Sequence, residues 1–448
     1  DGTAAAAANM PDAAPVEVPP ARTNESAVNS KSENENDRAA TSQVVDEQAH
    51  ANDSAAAVAS ATPGPRGAKG SPYSHRGDSS DRLRWAEEGG GGRETEAAVD
   101  AALVWLARSQ SPDGRWDASQ FGAGREMVVL GQDRGGAGAD ADTGITALAL
   151  LAFLGAGHTH QAGDYQTAVR KGLDFLVRGQ GADGNLGGEA GLYARMYCHS
   201  MATFAVAEAY AMTGDTALRP AVERAVDYCL RAQNPSTGGW RYRPGDMGDT
   251  SQLGWQLMAL WSADRAGMNV PPQTWTGAER FLRSVRRGQV GGLASYRADS
   301  PVSTSMTAEA LYCRQLVGET LGGADDVAAA SEATQQLLRT LPEPARVNLY
   351  YWYYGSLALH RQQQFSDQNV QAWQAWNNAM SSVLVAKQST EGADAGSWNP
   401  ECIWGGYGGR VYSTALSTLC LEVYYRYAPA ASAGDWTATQ TPAAQMRK

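Results

Sequence analysis

The feature that most restricts how this chain can fold is a short turn that recurs along it. Each copy has a Gln, a few polar residues, a Gly and then an aromatic residue. The clearest copies run from Gln110 to Trp116 and from Gln233 to Trp240, and Leu replaces the aromatic residue from Gln180 to Leu186. Looser copies run from Gln289 to Tyr296 and from Gln388 to Trp398. A recurring unit of this kind predicts a repeat array.

Two kinds of helix alternate around these turns. An amphipathic segment precedes each turn, as at residues 168–178, where Val169, Leu173 and Leu176 share one face. A segment that is apolar on nearly all sides follows, as at residues 143–154, and is expected to be buried all round. The amphipathic helices are predicted to begin near Thr95, Tyr165, Leu218, Thr274, Val327 and Val370. The buried helices are predicted to begin near Asp142, Tyr197, Asp249, Ser303, Val347 and Val411.

This alternation predicts an all-α fold, an α/α toroid of six helical hairpins. The apolar helices are predicted to form the inner ring, and the amphipathic helices are predicted to form the outer ring. The Gln and aromatic residues of the turns are interpreted as structural, each ring stacking on a Gln amide to join adjacent hairpins. These structural residues are Gln110, Trp116, Gln233, Trp240, Gln388 and Trp398.

Composition divides the chain into three parts. Residues 1–93 are rich in Ala, Ser, Asn, Gly and charge, with Tyr73 and Trp85 as their aromatic residues, and offer too little apolar surface to offset the entropy of ordering. We therefore expect a disordered tether at 1–93, the toroid at 94–428 and a flexible C-terminal tail at 429–448.

Charge and cysteine content exclude several classes of function. The net charge of −11 argues against a nucleic-acid partner, which needs a basic surface. The five cysteines are widely spaced, so neither a disulfide framework nor a cysteine zinc site is predicted, and no metal or cofactor is expected. The longest apolar run, residues 145–156, is too short to span a bilayer.

Compartment and assembly stay open at this stage. Because the chain starts at Asp1 rather than Met, an extracytoplasmic location or a membrane tether through a removed N-terminal segment is compatible with it. Peripheral membrane contact and any oligomeric state are equally open. The expected partner is a hydrophobic small molecule or a peptide.

A candidate site follows from the predicted direction of the inner helices. If all six run the same way, their N-terminal ends share one rim, and polar residues there surround the mouth of a cup with an aromatic wall. Asp140 and Asp246 are the candidate catalytic acids, and Asp142 and Asp249 are also expected to act as helix N-caps. The candidate ligand-binding residues are Asp142, Arg195, Tyr197, His199, Asp249, Tyr351, Trp352, Arg410 and Tyr412.

The turns and hairpins resemble the repeats of the squalene-hopene cyclase and protein prenyltransferase superfamily over about residues 95–427. The sequence is most similar to a bacterial branch of prenyltransferase/squalene oxidase repeat proteins, through Gly-Gly-Trp-Arg-Tyr242 and Leu-Glu-Val-Tyr-Tyr-Arg-Tyr427. The resemblance implies an α/α toroid, with an isoprenoid or another hydrophobic ligand in its central cup. It implies no single reaction, because one fold hosts many.

The catalytic signatures of that superfamily are degenerate here. Alignment on Asp142-Thr143 places Ala141 where the triterpene cyclases have their proton donor, and Gly248 occupies the second such position. The prenyltransferase zinc triad is also incomplete, since the last inner helix has Ser413 in the region of its His. Whether the chain is an enzyme is therefore left open.

Three functions remain. The first is a cup for an isoprenoid or similar ligand, with proton-initiated chemistry from Asp140 or Asp246. The second is a non-catalytic toroid on a flexible tether that binds a peptide or protein. The third, less favoured, is a polysaccharide-active toroid with Asp140 and Asp249 as paired carboxylates.

Overall fold

The computed structural model describes residues 73, 75, 76, 79–322 and 326–427, which are mainly α-helical. The helices are α1 (Ser79–Gly89), α2 (Arg93–Arg108), α3 (Asp142–Gly155), α4 (Gln166–Arg178), α5 (Leu192–Thr213), α6 (Arg219–Ala232), α7 (Thr250–Arg265), α8 (Pro272–Ser284), α9 (Thr304–Leu321), α10 (Val327–Leu338), α11 (Leu349–Gln362), α12 (Asp367–Lys387), α13 (Gly405–Leu421) and α14 (Val423–Arg426). Two antiparallel hairpins pair β1 (Val128–Val129) with β2 (Gln132–Asp133) and β3 (Arg286–Arg287) with β4 (Leu293–Ala294).

Six helices form a closed inner ring. The helices α3, α5, α7, α9, α11 and α13 contact one another in that order, and α13 contacts α3. The even-numbered helices from α2 to α12 pack around this ring as the outer layer. The predicted α/α toroid of six hairpins is thus confirmed.

Burial of the helices follows the apolar pattern of the sequence. All residues of α3 after Asp142 are buried, because this helix contacts others on every side. In contrast, α4 buries only Val169, Gly172, Leu173 and Leu176, which share one face. Most helices begin close to the predicted residue, but α5 and α13 begin several residues earlier than Tyr197 and Val411, at Leu192 and Gly405.

The Gln side chains of the turns connect successive outer helices. Gln110 Nε2 donates to the Gly114 carbonyl of its own turn at 2.8 Å and to the Ala168 carbonyl of α4 at 2.9 Å. Equivalent pairs of bonds are made by Gln180 to Gly184 and Ala221, by Gln233 to Gly238 and Thr274, and by Gln388 to Gly396 and Ala98. Since Ala98 belongs to α2, the last of these joins the final outer helix to the first.

The Trp side chains of the turns bond in the opposite direction, to the helix that precedes them. Trp116 Nε1 donates to the Leu106 carbonyl of α2, and the ring has no exposed surface. Trp240 and Trp398 donate to Cys229 and Leu384 in the same way, each at 2.8 Å. Gln and Trp together therefore fix a turn to two outer helices, and the stacking of the ring on the Gln amide stays a prediction.

The turn that begins at Gln289 replaces the Gln side chain with a carboxylate. Glu332 of α10 accepts hydrogen bonds from the backbone N–H groups of Gln289 and Gly292, at 2.6 and 2.7 Å. This turn is therefore also bonded to the next outer helix. Here the backbone of the turn donates and a side chain of the helix accepts, whereas in the other turns a Gln side chain donates to a helix carbonyl.

The end of the toroid opposite the N-terminal ends of the inner helices is filled by both ends of the described chain, and we call it the base. Tyr73 and Arg76 are buried there, and the Tyr73 hydroxyl lies 2.8 Å from Ser262 Oγ of α7. The helix α1 packs on α2 and α14. The tether boundary expected at residue 93 is therefore too late, because the docked chain already includes Tyr73.

The remaining parts of the expected tether and tail, residues 1–72 and 428–448, lie outside the described residues. None of the described helices is long and apolar enough to cross a membrane. All five cysteines are free and buried.

Candidate functional site

Aromatic rings meet across the inner ring and form a floor beneath the N-terminal ends of its helices. Trp255 of α7 stacks on Tyr353 of α11, with ring centroids 5.7 Å apart, and contacts Tyr354 at 6.0 Å. Because α9 separates α7 from α11 in the ring, these contacts cross the lumen. We call the space between this floor and the N-terminal ends of the inner helices the cup.

Tyrosines line the cup above the floor. Tyr197, Tyr296 and Tyr350 each keep some accessible surface, yet burial raises the pKa of each hydroxyl well above its usual value. Their partly accessible rings border the space above the floor. The cup is therefore aromatic in its wall and floor, with hydroxyl groups directed into the packing around it.

A fully buried carboxyl, Glu309 of α9, lies behind this wall. Its Oε2 lies 2.5 Å from the Tyr350 hydroxyl, and its Oε1 accepts from the Gly254 backbone N–H at 3.2 Å. A Cβ at position 254 would come within 2.2 Å of Oε1, so only glycine lets the carboxyl approach α7 this closely. Burial raises the pKa of Glu309 well above its usual range, and the negative charge of Asp249 adds to the rise against the Tyr350 hydrogen bond.

The hydrogen bonds around Tyr350 agree with a protonated Glu309. The Tyr350 hydroxyl also lies 3.3 Å from the Ser251 carbonyl oxygen, but it has a single proton to donate. If Glu309 is protonated, its own O–H donates to Tyr350 and the Tyr350 O–H donates to Ser251. Both contacts are then satisfied at once.

Asp249 is a second buried carboxyl, in a different setting. It caps α7 by accepting from the Gln252 backbone N–H at 2.9 Å, and it also accepts from the Tyr296 hydroxyl at 2.8 Å. Arg241 Nε lies 3.2 Å from it. Burial raises the pKa of Asp249, but Tyr296, the cap and Arg241 all oppose the rise. The pKa of Asp249 is therefore raised less than that of Glu309, which has fewer donors to oppose the effect of burial.

Two arginines lie at the mouth of the cup. The Arg241 guanidinium lies over the Tyr242 ring, 4.9 Å from its centroid. Arg134 lies over the Trp404 ring at 5.1 Å, and its Nη1 donates to the Tyr242 hydroxyl at 3.4 Å. The Tyr242 hydroxyl in turn lies 3.0 Å from that of Tyr296, so the network extends from the mouth to Asp249.

Two of the predicted ligand-binding residues belong to this network. Asp249 lies at its centre, and the Tyr197 hydroxyl lies 2.6 Å from Ser251 Oγ, which itself donates to Asp249 at 2.9 Å. These contacts place Tyr197 in the wall of the cup and Asp249 behind it.

The predicted catalytic acids lie elsewhere. Asp140 is exposed in the loop before α3, and Asp246 accepts from the Arg243 backbone N–H at 2.9 Å in a partly exposed turn. Asp142 is the first residue of α3 rather than its N-cap, so the predicted cap is wrong at this position. Its carboxylate accepts from the Ala118 backbone N–H and pairs with Arg115.

His199 has both ring nitrogens engaged in packing. Nδ1 accepts from the Leu186 backbone N–H at 3.0 Å, and Nε2 lies 3.1 Å from Cys229 Sγ. In other repeats a threonine accepts the equivalent backbone bond, for example Thr146 from Trp116. Burial lowers the pKa of His199 to about 3, so it is neutral and connects its turn to α5.

The other predicted ligand residues point away from the cup or are packed in the helices. Tyr351 donates to the Thr340 carbonyl at 3.0 Å, beyond the end of α10. Arg410 pairs with Asp394 at 3.1 Å, beside the last turn, and Arg195 is exposed. Trp352 and Tyr412 are buried within the core.

The residues that the sequence did not single out are Glu309, Tyr296, Arg241 and Arg134. Glu309 did carry a signal, because a carboxyl within a stretch as buried as residues 305–313 is rare unless it has a partner or a function. Arg241 lies inside the recurring turn motif, next to Trp240, and the pattern of that motif predicts a structural role only.

Comparison with known proteins supports the fold. No protein-family model matches the sequence, and no curated protein matches it. Among solved structures, the chain is similar to an unsaturated glucuronyl hydrolase from Bacillus sp. GL1 (TM-score 0.52, 16% identity, 74% of this chain and 96% of that one). It is also similar to an inactive variant of an α-1,6-mannanase from Salegentibacter sp. HEL1_6 (0.51, 7%, 74% and 99%). A variant of the type II terpene cyclase MstE from Scytonema matches at 0.46, with 14% identity over 74% of this chain and 98% of that one.

Proposed function

We propose that the cup binds a largely apolar, isoprenoid-like ligand and that Glu309 and Tyr350 together protonate it. The observation that carries this proposal is the buried Glu309 carboxyl, 2.5 Å from the Tyr350 hydroxyl at an aromatic wall. A neutral carboxylic acid in such surroundings is the group that general-acid chemistry on an apolar ligand requires.

The reaction would be an isomerisation that begins with protonation of an alkene. The Tyr350 O–H first turns from the Ser251 carbonyl towards the alkene. The π electron pair of the alkene then forms a new C–H bond to the Tyr350 proton, while the Glu309 proton moves to the Tyr350 oxygen. The products of this step are a carbocation and the Glu309 carboxylate. Rings of Tyr350, Tyr354 and Trp255 stabilise the cation by cation–π attraction. Loss of a proton along the reverse path restores Glu309.

The direct test incubates the full chain with squalene, geranylgeraniol and prenyl diphosphates, followed by gas chromatography and mass spectrometry of the extracts. We expect a rearranged product that is lost in Glu309→Gln and in Tyr350→Phe. Glu223→Gln, at an exposed carboxyl of α6, is the control and retains activity.

Two results would contradict the assignment of residues. A product that persists in Glu309→Gln excludes this carboxyl as the acid. A product that is lost in Asp140→Asn or Asp246→Asn supports the acids chosen from the sequence. If no ligand is turned over but isoprenoids bind, the toroid binds an isoprenoid without catalysing its rearrangement, and Glu309 is not a general acid.

A polysaccharide substrate is the second candidate, and the two buried carboxyls favour it. Glycosidases use one protonated and one charged carboxyl, and burial raises the pKa of Glu309 more than that of Asp249. The named hydrolases with this fold act on mannan and on unsaturated glucuronyl sugars. Incubation with α-1,6-mannotetraose and with an unsaturated glycosaminoglycan disaccharide would release reducing sugar only if this candidate is correct.

A further inference from the structure

One positive charge at the mouth of the cup has no acidic partner in the described part of the chain. Arg134 follows the β1–β2 hairpin, in the long connection between the first turn and α3. Its guanidinium lies 5.1 Å from the centroid of Trp404 and 6.0 Å from that of Tyr193. Among the described residues it forms no ion pair, whereas the other arginine of the mouth pairs with Asp249.

The position of Arg134 is fixed by its surroundings. The loop that carries it is bound to α13, with the Gly124 N–H donating to the Tyr407 carbonyl at 2.9 Å and the Glu126 N–H donating to Gly406 at 3.1 Å. Arg134 is half-buried, its Nε is buried without a hydrogen-bond partner, and a phenol hydroxyl at 3.4 Å is the acceptor of Nη1. The guanidinium is therefore poorly solvated and held in place, with much of its donor capacity unused.

A planar guanidinium in this state is suited to an oxyanion. Its edge can donate two parallel hydrogen bonds to a carboxylate or a phosphate, and charge-assisted bonds of this kind are about twice as strong as neutral ones. Because the aromatic groups beside it already exclude water, the guanidinium loses less hydration when a ligand binds.

We infer that Arg134 binds an anionic oxygen group, a carboxylate or a phosphate, at one end of the ligand whose apolar part occupies the cup. This inference rests on the proposed function and narrows it, because the ligand is then amphipathic. Arg134 selects the ligand by its charged end, whereas Glu309 and Tyr350 act deeper in the cup.

The test compares ligands that differ only at one end. Binding to the full chain is followed by tryptophan fluorescence for geranylgeraniol, geranylgeranoic acid and geranylgeranyl diphosphate, and for hexadecanol and palmitate. We expect the wild type to bind the anionic member of each series about tenfold or more tightly than the alcohol. Arg134→Gln removes this preference and leaves the affinity for the alcohols within about twofold.

The matched control is Arg125→Gln, an exposed arginine of the same loop, which keeps the preference. Thermal unfolding of Arg134→Gln checks that the variant is folded. Equal weakening of alcohols and anions in Arg134→Gln overturns the inference, because Arg134 would then only support the mouth. A preference for phosphate over carboxylate, or the reverse, identifies the oxyanion.

The alkyl and prenyl series separate this inference from the proposed function. If palmitate shows the Arg134-dependent preference but no prenyl compound binds, the anion site stands and the isoprenoid substrate class fails. If prenyl alcohols bind and react but neither series prefers an anion, the proposed function stands and the anion site fails.

Discussion

Arg76 and Glu208 form an ion pair from which solvent is excluded, although 132 residues separate them in the sequence. Arg76 Nη2 donates to Glu208 Oε1 at 2.9 Å, and neither side chain has exposed surface. Arg426 donates to the same carboxylate at 3.0 Å. One glutamate of α5 therefore binds both ends of the described chain at the base of the toroid.

Two N-terminal truncations test the importance of this contact. Removal of residues 1–72 keeps Tyr73 and Arg76, so we expect the unfolding midpoint in urea to stay near that of the full chain. Removal of residues 1–78 deletes both and leaves Glu208 with one guanidinium fewer in a buried site, which costs about 3–5 kcal/mol of unfolding free energy. Equal stability of the two truncated proteins would show that the N-terminal contact is dispensable.

Substitution of Glu208 by Gln is expected to destabilise the protein in a pH-dependent way. Burial opposes ionisation of Glu208, but Arg426 and Arg76 outweigh it and hold its pKa below the usual value. The stabilisation by Glu208 is thus present above the unfolded-state pKa and is lost as pH falls through the lower folded-state pKa. We expect the deficit of Glu208→Gln, measured by urea unfolding, to be larger at pH 7 than at pH 3. A deficit independent of pH would contradict the charged pair.

Substitution of Glu309 by Gln is expected to have the opposite pH dependence. Its pKa is raised in the folded protein, so the folded state keeps a proton that the unfolded state has lost. The free energy of unfolding of the wild type therefore falls as pH rises from the pKa of Glu309 in the unfolded state, about 4.3, toward its higher pKa in the folded state. Glu309→Gln lacks this loss, and its stability relative to wild type should increase between pH 5 and pH 8. A relative stability that falls with pH would indicate a charged Glu309.

Truncation of Trp240 tests the turns. The ring is fully buried, and its Nε1 donates to the Cys229 carbonyl at 2.8 Å. We expect Trp240→Ala to lose about 3–5 kcal/mol of unfolding free energy. Trp240→Phe keeps most of the buried area but not the hydrogen bond, and should lose distinctly less. A melting temperature of Trp240→Ala within a degree or two of wild type would refute a structural role.

The parts of the fold that the sequence predicted are those set by local pattern. The period of apolar residues distinguishes α3 from α4, and the recurring Gln marks each turn. The helix α1 was missed because its contacts are polar: Arg82 donates to Ala156 at 2.9 Å and to Asp100 at 2.8 Å, while Ala86 is its buried apolar residue. A criterion based on apolar surface does not detect such a helix.

The site was less predictable than the fold, because its partners come from distant repeats. Glu309 and Tyr350 are 41 residues apart, and they meet only because α9 and α11 are neighbours in the closed ring. Arg134 and Tyr242 are 108 residues apart. Aspartates next to helix starts stood out in the sequence, yet Asp140 proved to be exposed, whereas Glu309 is the one carboxyl in the buried stretch 305–313 of α9.

The bonds of Gln388 to α2 have a consequence for how the chain could be connected. The seam between the last and first outer helices is made by the same two side-chain bonds as the other Gln-linked junctions, and Arg76 Nε donates to the Arg426 carbonyl at 2.6 Å. The two ends of the folded chain thus already lie side by side. A circular permutant that joins them through a short linker and opens a different outer connection would be the same ring with another starting point.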